Sequence, residues 1–173
     1  MFRKSVILAV ICAFLLPGGS AGAATQAPPN YGCPGPEYQQ FAFWIGDWDV
    51  FSGPNQVGTS RVERILNDCV IFENWTSASG NAGKSFNTYD PAKNDWHQTW
   101  VDNSGLRTEY HGGLVSGEMV VVATQLDAKG AKTLQRMTFT RLPGGKVRQH
   151  GESSADDGKT WTTSYDLTYV RHT

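Results

Sequence analysis

The stretch FWIGDWDVF, residues 43–51, carries four aromatic residues around a Gly-Asp-Trp tripeptide. The segment PEYQQFAFWIG at 36–46 predicts one short helix, because Pro36 suits a first helical position and apolar residues recur at helical spacing. A glycine then ends the helix, and the first strand is expected over 47–52. Trp48 therefore stands at the very start of a β-strand, which raises the question of what it packs against.

The rest of the chain predicts strands separated by turns. The strand segments are rich in Val, Ile, Thr and aromatic residues and are bounded by turn sequences such as SGPN, DPAKND and PGG. They lie at 47–52, 57–66, 69–77, 83–90, 95–102, 105–113, 117–126, 131–141, 146–154 and 160–171. Consecutive strands with short connections form an up-and-down antiparallel sheet, which avoids exposed edges by closing into a barrel. We therefore expect an all-β chain, an up-and-down antiparallel β-barrel of about ten strands with one short N-terminal helix. A two-sheet sandwich is the alternative.

Gly46-x-Trp48 after a short helix resembles the start of the lipocalin and fatty-acid-binding barrels, the calycins. In those barrels the Trp closes one end and packs against an Arg or Lys near the end of the last strand. This chain ends LTYVRHT, so the resemblance implies that Arg171 packs against Trp48. An arginine over a tryptophan ring stabilises a fold by about 0.5–2 kcal/mol.

Longer stretches resemble the exported bacterial lipocalin-like proteins of unknown function. The matching stretches are CPGPEYQQFAFWIGDWDVF, NDCVIFENW, GKSFNTYDPAKNDWHQTWVDNSG and DDGKTW. Together they cover most of the predicted barrel, so the resemblance implies a calycin-type fold for the whole domain. That family has no established catalytic residues, so the resemblance implies none here.

The N-terminal sequence has the layout of a secretory signal peptide. Arg3 and Lys4 precede an apolar run at 6–16, and the small residues at 21–23 offer a cleavage site. The run is shorter than the roughly 20 apolar residues that a membrane-spanning helix needs, and an uncleaved N-terminal anchor is the alternative. We expect a signal peptide at 1–24, an extended segment at 25–36, a lipocalin-like barrel domain at 37–173, and a periplasmic or secreted location.

Charge excludes some classes of partner. Loss of residues 1–24 removes two of the 15 basic residues and none of the 16 acidic ones, which leaves a net charge of -3. A weakly acidic chain indicates neither a nucleic acid nor an anionic membrane as partner. No later apolar run is long enough to cross a bilayer. The expected partner is a small-molecule ligand, because a barrel of about ten strands is wide enough to hold one. Nothing in the sequence decides the oligomeric state.

The exported chain keeps two cysteines, Cys33 and Cys69. In an exported protein a pair of thiols predicts one disulfide, here between the Pro-rich N-terminal segment and the third strand. A loop of this size contributes about 3–4 kcal/mol in the chain-entropy model. A metal or redox pair is the alternative, without a CxxC motif or a nearby histidine to support it.

The sequence SADDGKTW at 154–161 resembles the Asp-box, SxDxGxTW, of sialidases and related propellers. There the box is a structural hairpin turn, in which the Asp accepts backbone hydrogen bonds and the Gly adopts a positive φ. A propeller needs several blades and a longer chain. We interpret the single box as the hairpin turn between the last two strands.

Three strands in the middle of the chain carry an aromatic and polar set on one face of each strand. Facing inward, they would form a ligand cavity with large apolar walls and a few placed polar groups. The set is Glu73, Trp75, Asn87, Tyr89, Trp96, Gln98 and Trp100. In the alternative interpretation the aromatic residues fill a dry core and the polar residues face water.

Two further strands place a cation, an acid and a histidine at period two: Arg107, Glu109 and His111 in one, and Arg148, His150 and Glu152 in the other. Inside the barrel, a Glu–His pair could perform acid–base chemistry. Alternating charge is also typical of a solvated outer face with cross-strand ion pairs. The candidate catalytic residues are Glu73, His97, His111 and His150. The spacing of His and Cys predicts no metal site, and we expect no cofactor.

These patterns favour a periplasmic or secreted barrel that binds a small apolar or aromatic molecule. The first alternative is an enzyme in the same cavity, an isomerase, lyase or hydrolase, with Glu73 or a histidine as general base. The second is a structural or envelope-interaction protein, which predicts a filled barrel and an exposed apolar patch.

Overall fold

A computed structural model describes residues 31–127 and 129–173. The predicted signal peptide and the first part of the predicted extended segment lie outside the described residues. The described residues form one compact unit, Tyr31–Thr173.

The described chain is all-β, as predicted, and its ten strands close into one barrel. Each strand pairs antiparallel with its neighbours in sequence, and β1 pairs with β10 to close the ring. The two-sheet sandwich is thereby excluded. The strands are β1 (Gly46–Ser52), β2 (Asn55–Ile65), β3 (Val70–Ser77), β4 (Ala82–Asp90), β5 (Asp95–Asp102), β6 (Arg107–Val115), β7 (Glu118–Leu126), β8 (Lys132–Leu142), β9 (Lys146–Ser154) and β10 (Thr162–Arg171).

The predicted and observed strands agree within two residues at each end, and the largest difference is at β6, which was expected at 105–113 and is displaced by two residues at both ends. The Asp102 carboxylate accepts hydrogen bonds from the backbone N–H groups of Ser104 and Leu106, at 2.9 and 3.2 Å. These bonds hold residues 103–106 in a turn, because an Asp side chain can mimic a backbone acceptor. Strand β6 therefore begins two residues later, at Arg107.

The predicted short N-terminal helix is present as two successive 3₁₀ turns, Pro36–Gln39 and Ala42–Trp44. Pro36 occupies the first position, where its missing N–H leaves no backbone bond unmade. We call residues 36–45 the plug, because their aromatic side chains fill one end of the barrel. Phe41 and Trp44 stack with ring centroids 5.0 Å apart, and both contact Phe139 of β8.

Arg171 is the residue that lies over Trp48. Its guanidinium carbon is 4.0 Å from the centre of the Trp48 ring, and the two residues are paired in register across β1 and β10. Gly46 has a φ of +152°, and a Cβ atom there would overlap the Arg171 guanidinium. The glycine two residues before Trp48 thus leaves room for the arginine. The indole N–H donates to the Trp44 carbonyl at 2.8 Å, which joins β1 to the plug.

Cys33 and Cys69 form a disulfide, as predicted from the sequence. Cys69 ends the turn before β3 rather than beginning the strand. Leu66, Asn67 and Asp68 of that turn adopt positive φ values, so the strand cannot extend back through them. The disulfide fastens the segment that precedes the plug to the connection between β2 and β3.

The predicted hairpin turn joins β9 to β10. The Asp156 carboxylate accepts hydrogen bonds from the backbone N–H and the hydroxyl of Thr160, at 2.9 and 2.6 Å. The Trp161 indole donates to the Gly158 carbonyl at 3.0 Å, and Arg136 lies over the indole ring. Bonds from Thr160 and Ser154 lower the pKa of Asp156 to about 2. The motif therefore acts as a structural turn at the end of the barrel opposite the plug.

In the part of the chain that the structure describes, no helix has the length and apolar character needed to cross a membrane.

Candidate functional site

A cavity of about 390 Å³ lies inside the barrel. Asn81 and Leu106 mark its mouth, on the β3–β4 and β5–β6 turns at the end opposite the plug. The inner face of the strands supplies the rest of the lining: Glu73, Trp75, Gln98, Trp100, Thr108, Tyr110, Gln125, Gln135, Met137, Gln149, Tyr165, Leu167 and Tyr169. The barrel is therefore closed at one end and hollow towards the other.

Four residues of the predicted binding set line this cavity: Glu73, Trp75, Gln98 and Trp100. Glu73 and Gln98 are buried, whereas Trp75 and Trp100 are half-buried nearer the mouth. Gly83 lies directly beneath the Trp100 ring, and a Cβ atom there would overlap the indole. That glycine lets the ring lie flat against β4, so the aromatic wall leaves the cavity open.

The other three members of the predicted set share the inner face but do not line the cavity. Trp96 packs against Phe41 of the plug and donates its indole N–H to the Gln40 side chain at 3.1 Å. Tyr89 meets Tyr38 edge to face, with ring centroids 5.3 Å apart. Asn87 is buried between the cavity and this aromatic layer. Trp96 and Tyr89 belong to the closed end, because the plug reaches them.

Glu73 is the one acidic residue of the lining, and only 5% of it is exposed. Ser60 of β2 donates to one carboxylate oxygen at 3.0 Å, and Ser85 of β4 donates to the other at 2.9 Å. Among the described residues, no Lys, Arg or His forms an ion pair with it. Burial raises the pKa of Glu73 to about 7, against the lowering effect of the two serine hydroxyls.

A chain of hydrogen bonds leads to this carboxyl group from the neighbouring strands. The Gln98 side-chain amide donates to Asn87 Oδ1 at 2.8 Å, and Asn87 donates to Ser85 Oγ at 3.1 Å. Ser85 then donates to Glu73. Asn87 also donates to the Ile71 carbonyl at 3.0 Å, which fixes its side chain. Every donor in the chain is directed towards Glu73, and hydrogen bonds donated to a carboxyl oxygen favour its ionised form.

The opposite wall carries a second polar network, which the sequence analysis missed. Tyr110 donates to Gln135, Gln135 to Gln125, and Gln125 to Thr108, at 2.9, 2.7 and 3.1 Å. On β10 the Tyr169 hydroxyl donates to Gln149 at 2.6 Å. These amides and hydroxyls are uncharged.

The sequence pattern that could have predicted this second wall is the period-two alternation of inward and outward residues, which had predicted the first wall. In β6, Thr108 and Tyr110 alternate with the charged row that was considered as a site. In β10, Tyr165 and Tyr169 alternate with exposed or half-exposed residues. In β6 the residues between the charged positions, rather than the charged row, line the cavity.

The three candidate histidines lie on the outer face of the barrel and do not line the cavity. His97 and His111 are paired in register, and both approach the Asp95 carboxylate at 3.7 Å. His150 contacts Thr163 at 3.0 Å and lies 3.8 Å from Glu152. Strand alternation explains the placement: Tyr110, adjacent to His111, points inward. Glu73 is thus the one residue of the four candidates that lies in the cavity.

The outer position of the charged rows is evident from their partners. Arg136 pairs with Glu152 at 2.7 Å, and Arg148 with Asp166 at 2.7 Å. These are cross-strand ion pairs of a solvated face. Within residues 31–127 and 129–173, no group of three or more His, Cys, Asp or Glu side chains could hold a metal ion.

Comparison with known proteins adds no family assignment. A scan against protein-family models gave no match, and a search of curated proteins gave none either. The geometry of the cavity is therefore the basis for a functional proposal.

Proposed function

We propose that the protein is an exported, lipocalin-like barrel that binds a small apolar or aromatic molecule in its cavity. The observation that supports this proposal is the open cavity of about 390 Å³, bounded by Trp75, Trp100 and Tyr165. Ligand sites in proteins are typically about 300–1,000 Å³, with apolar and aromatic walls and a few polar groups. A barrel with a purely structural role would have this space filled with side chains.

Affinity would come from burial of the ligand against the aromatic walls. Burial of about 200 Å² of apolar ligand surface contributes about 5 kcal/mol before the cost of association. Glu73 and Gln98 would fix the orientation of the ligand, since both are buried at the inner end of the cavity and held by hydrogen bonds. Preorganised side chains keep the entropic cost of binding low.

Native mass spectrometry of the protein purified from its own host tests the proposal. We expect an additional mass that is lost on denaturation. The denatured sample also tests export, because the polypeptide should lack residues 1–24. A ligand-free mass from freshly prepared protein, together with failure to bind small aromatic probes, would contradict the proposal.

A pair of tryptophan substitutions locates the binding site. Thr108→Trp adds an indole to the cavity, where Thr108 is buried, and should abolish binding. Thr124→Trp adds the same group to the exposed outer face of the neighbouring strand β7 and should leave binding intact. Equal binding by both variants would place the ligand outside the barrel.

A second candidate function is an enzyme in the same cavity. It is favoured by one observation, the buried Glu73 carboxyl with a pKa raised to about 7, where it could exchange protons at neutral pH. Glu73→Gln would then lower the rate of the reaction by about two to four decades while the substrate still binds. A screen for turnover of the copurified molecule, with this variant as control, separates the enzyme from the binding protein.

A further inference from the structure

We propose that the ligand is an organic cation, which places an ammonium group against Glu73 and its apolar part between the aromatic walls. This inference rests on the proposed binding function and specifies the chemical class of the ligand. It follows from the charge balance of the cavity and from the comparison of Glu73 with two ion-paired acids on the outer face of the barrel.

The lining contains one acidic side chain and, among the described residues, no basic one. The rest of the polar lining consists of amides and hydroxyls, which are neutral. An anionic ligand would therefore meet Glu73 without any compensating cation, and burial of two like charges is unfavourable. A cation is the one ligand charge that this lining complements.

Two acids on the outer face of the barrel each have a cationic partner. Glu152 is largely buried on the outer face and pairs with Arg136 at 2.7 Å. Asp166, which is more exposed, pairs with Arg148 through two hydrogen bonds. Glu73 is more buried than either, yet only two serine hydroxyls contact its carboxyl oxygens. A buried carboxylate without a cation is costly, and a bound ammonium group would remove that cost.

The aromatic walls also suit a cation. Trp75, Trp100 and Tyr165 bound the same cavity, and aromatic faces attract cations, most strongly where water is excluded. The same residues accommodate the apolar part of an amine. The cavity therefore combines an anion at its inner end with π faces along its sides.

Glu73 is the group in its surroundings that titrates near neutral pH. The phenols of β6 and β10 that face the cavity are Tyr110, Tyr165 and Tyr169. Burial raises the pKa of Tyr110 to about 12 and that of the other two tyrosines well above the usual range. On the strands that flank β3, Arg61 and Lys84 lie exposed on the outer face. A ligand cation that requires ionised Glu73 will therefore bind with a pH dependence set by this carboxyl.

Three probes with one carbon skeleton test the inference by isothermal titration calorimetry: 2-phenylethylamine, 2-phenylethanol and phenylacetate. Their charges at neutral pH are positive, zero and negative. The amine should bind about tenfold or more tightly than the alcohol at pH 8, and phenylacetate most weakly. With a Glu73 pKa of about 7, amine affinity should rise about tenfold from pH 6 to pH 8. The affinity of the alcohol should stay unchanged.

Two variants assign the effect to Glu73. Glu73→Gln should weaken amine binding by about thirtyfold at pH 8 and leave alcohol binding within a few-fold. Glu109→Gln is the matched control, because it removes the same charge from the exposed outer face of β6. If Glu73→Gln does not fold, proton release decides: at pH 7 the wild-type protein should release about half a proton per bound amine and none with the alcohol.

Equal affinity for amine and alcohol at pH 8, or full amine affinity in folded Glu73→Gln, would overturn the cation inference and leave the binding function intact. Absence of proton release on amine binding would also overturn it. Failure of all three probes to bind would overturn both the inference and the binding function.

Discussion

Glu73 should make the free energy of unfolding depend on pH in a way that a single substitution removes. The carboxyl is 5% exposed, and burial raises its pKa from the ordinary value of 4.5 to about 7. Between these two pH values the folded protein holds the Glu73 proton and the unfolded chain has lost it. The free energy of unfolding therefore falls as the pH rises from about 4.5 to about 7.

The magnitude follows from the difference between the two pKa values. At about 1.4 kcal/mol for each pH unit, Glu73 removes about 3 kcal/mol of stability across this range. The stabilising contribution is complete below pH 4.5 and is lost above pH 7. Glu73→Gln keeps the shape of the side chain and its ability to hydrogen bond with Ser60 and Ser85, but it does not titrate. The variant should therefore gain about 3 kcal/mol relative to the wild type between pH 4.5 and pH 8.

Urea unfolding at pH 4.5, 6 and 8, followed by tryptophan fluorescence with the disulfide intact, measures this difference. Groups that titrate in both proteins cancel in the comparison. Glu109→Gln controls for the loss of one negative charge, because Glu109 is exposed on the outer face. A Glu73→Gln difference that stays constant within about 0.5 kcal/mol across this range would refute the assignment of a raised pKa to Glu73.

Three further predictions concern the parts of the barrel away from the cavity. Replacement of both Cys33 and Cys69 by serine should lower the free energy of unfolding by about 4 kcal/mol, given their separation of 36 residues; equal urea midpoints would contradict this. Gly46→Ala should lower the free energy of unfolding by about 2 kcal/mol or more, because the added Cβ overlaps the Arg171 guanidinium. In an Arg171→Ala background, where that overlap is absent, the loss should be about 1 kcal/mol smaller, and additive effects in a double-mutant cycle would contradict the contact. In a carbon-detected NMR titration the Asp156 carboxyl should ionise with a midpoint near pH 2, and a midpoint near 4 would contradict its bonds to Thr160.

The strands and their closure were accessible from the sequence because two local signals agree. Alternation of polar and apolar residues marks each strand, and short Gly- and Asp-containing turns join consecutive strands. An up-and-down sheet of ten strands avoids two exposed edge strands by closing, so these signals also predicted the barrel. The contact between Trp48 and Arg171 came from the resemblance to calycins rather than from periodicity.

The inner face of the cavity was only partly accessible from the sequence. In β3 and β5 tryptophans and buried polar residues share one face, so Glu73, Trp75, Gln98 and Trp100 were found together. Tyr89 and Trp96 lie on the same face but contact the plug instead of the cavity. The depth to which the plug enters the barrel decides this, and no local sequence pattern predicts that depth. Gln135 and Gln149 were missed because glutamine in a strand is typical of a solvated face. Their partners, Tyr110 and Tyr169, come from other strands.

The pairing of β1 with β10 has a consequence for the rate at which the ring opens. Nine of the ten pairings join consecutive strands, whereas the last brings together residues such as Asp49 and His172, which are 123 positions apart. Closing such a loop costs about 2 kcal/mol more than closing a hairpin of about ten residues. Opening this junction therefore releases more chain entropy than opening a hairpin, and we expect it to be the pairing that opens first.

Gly46, Trp48 and Arg171 all lie at that junction. The close packing of Arg171 on Trp48 thus lies at the one strand pairing that no short turn holds together. We expect this native contact to slow unfolding. Substitutions there should therefore raise the unfolding rate more than equally destabilising substitutions within a hairpin.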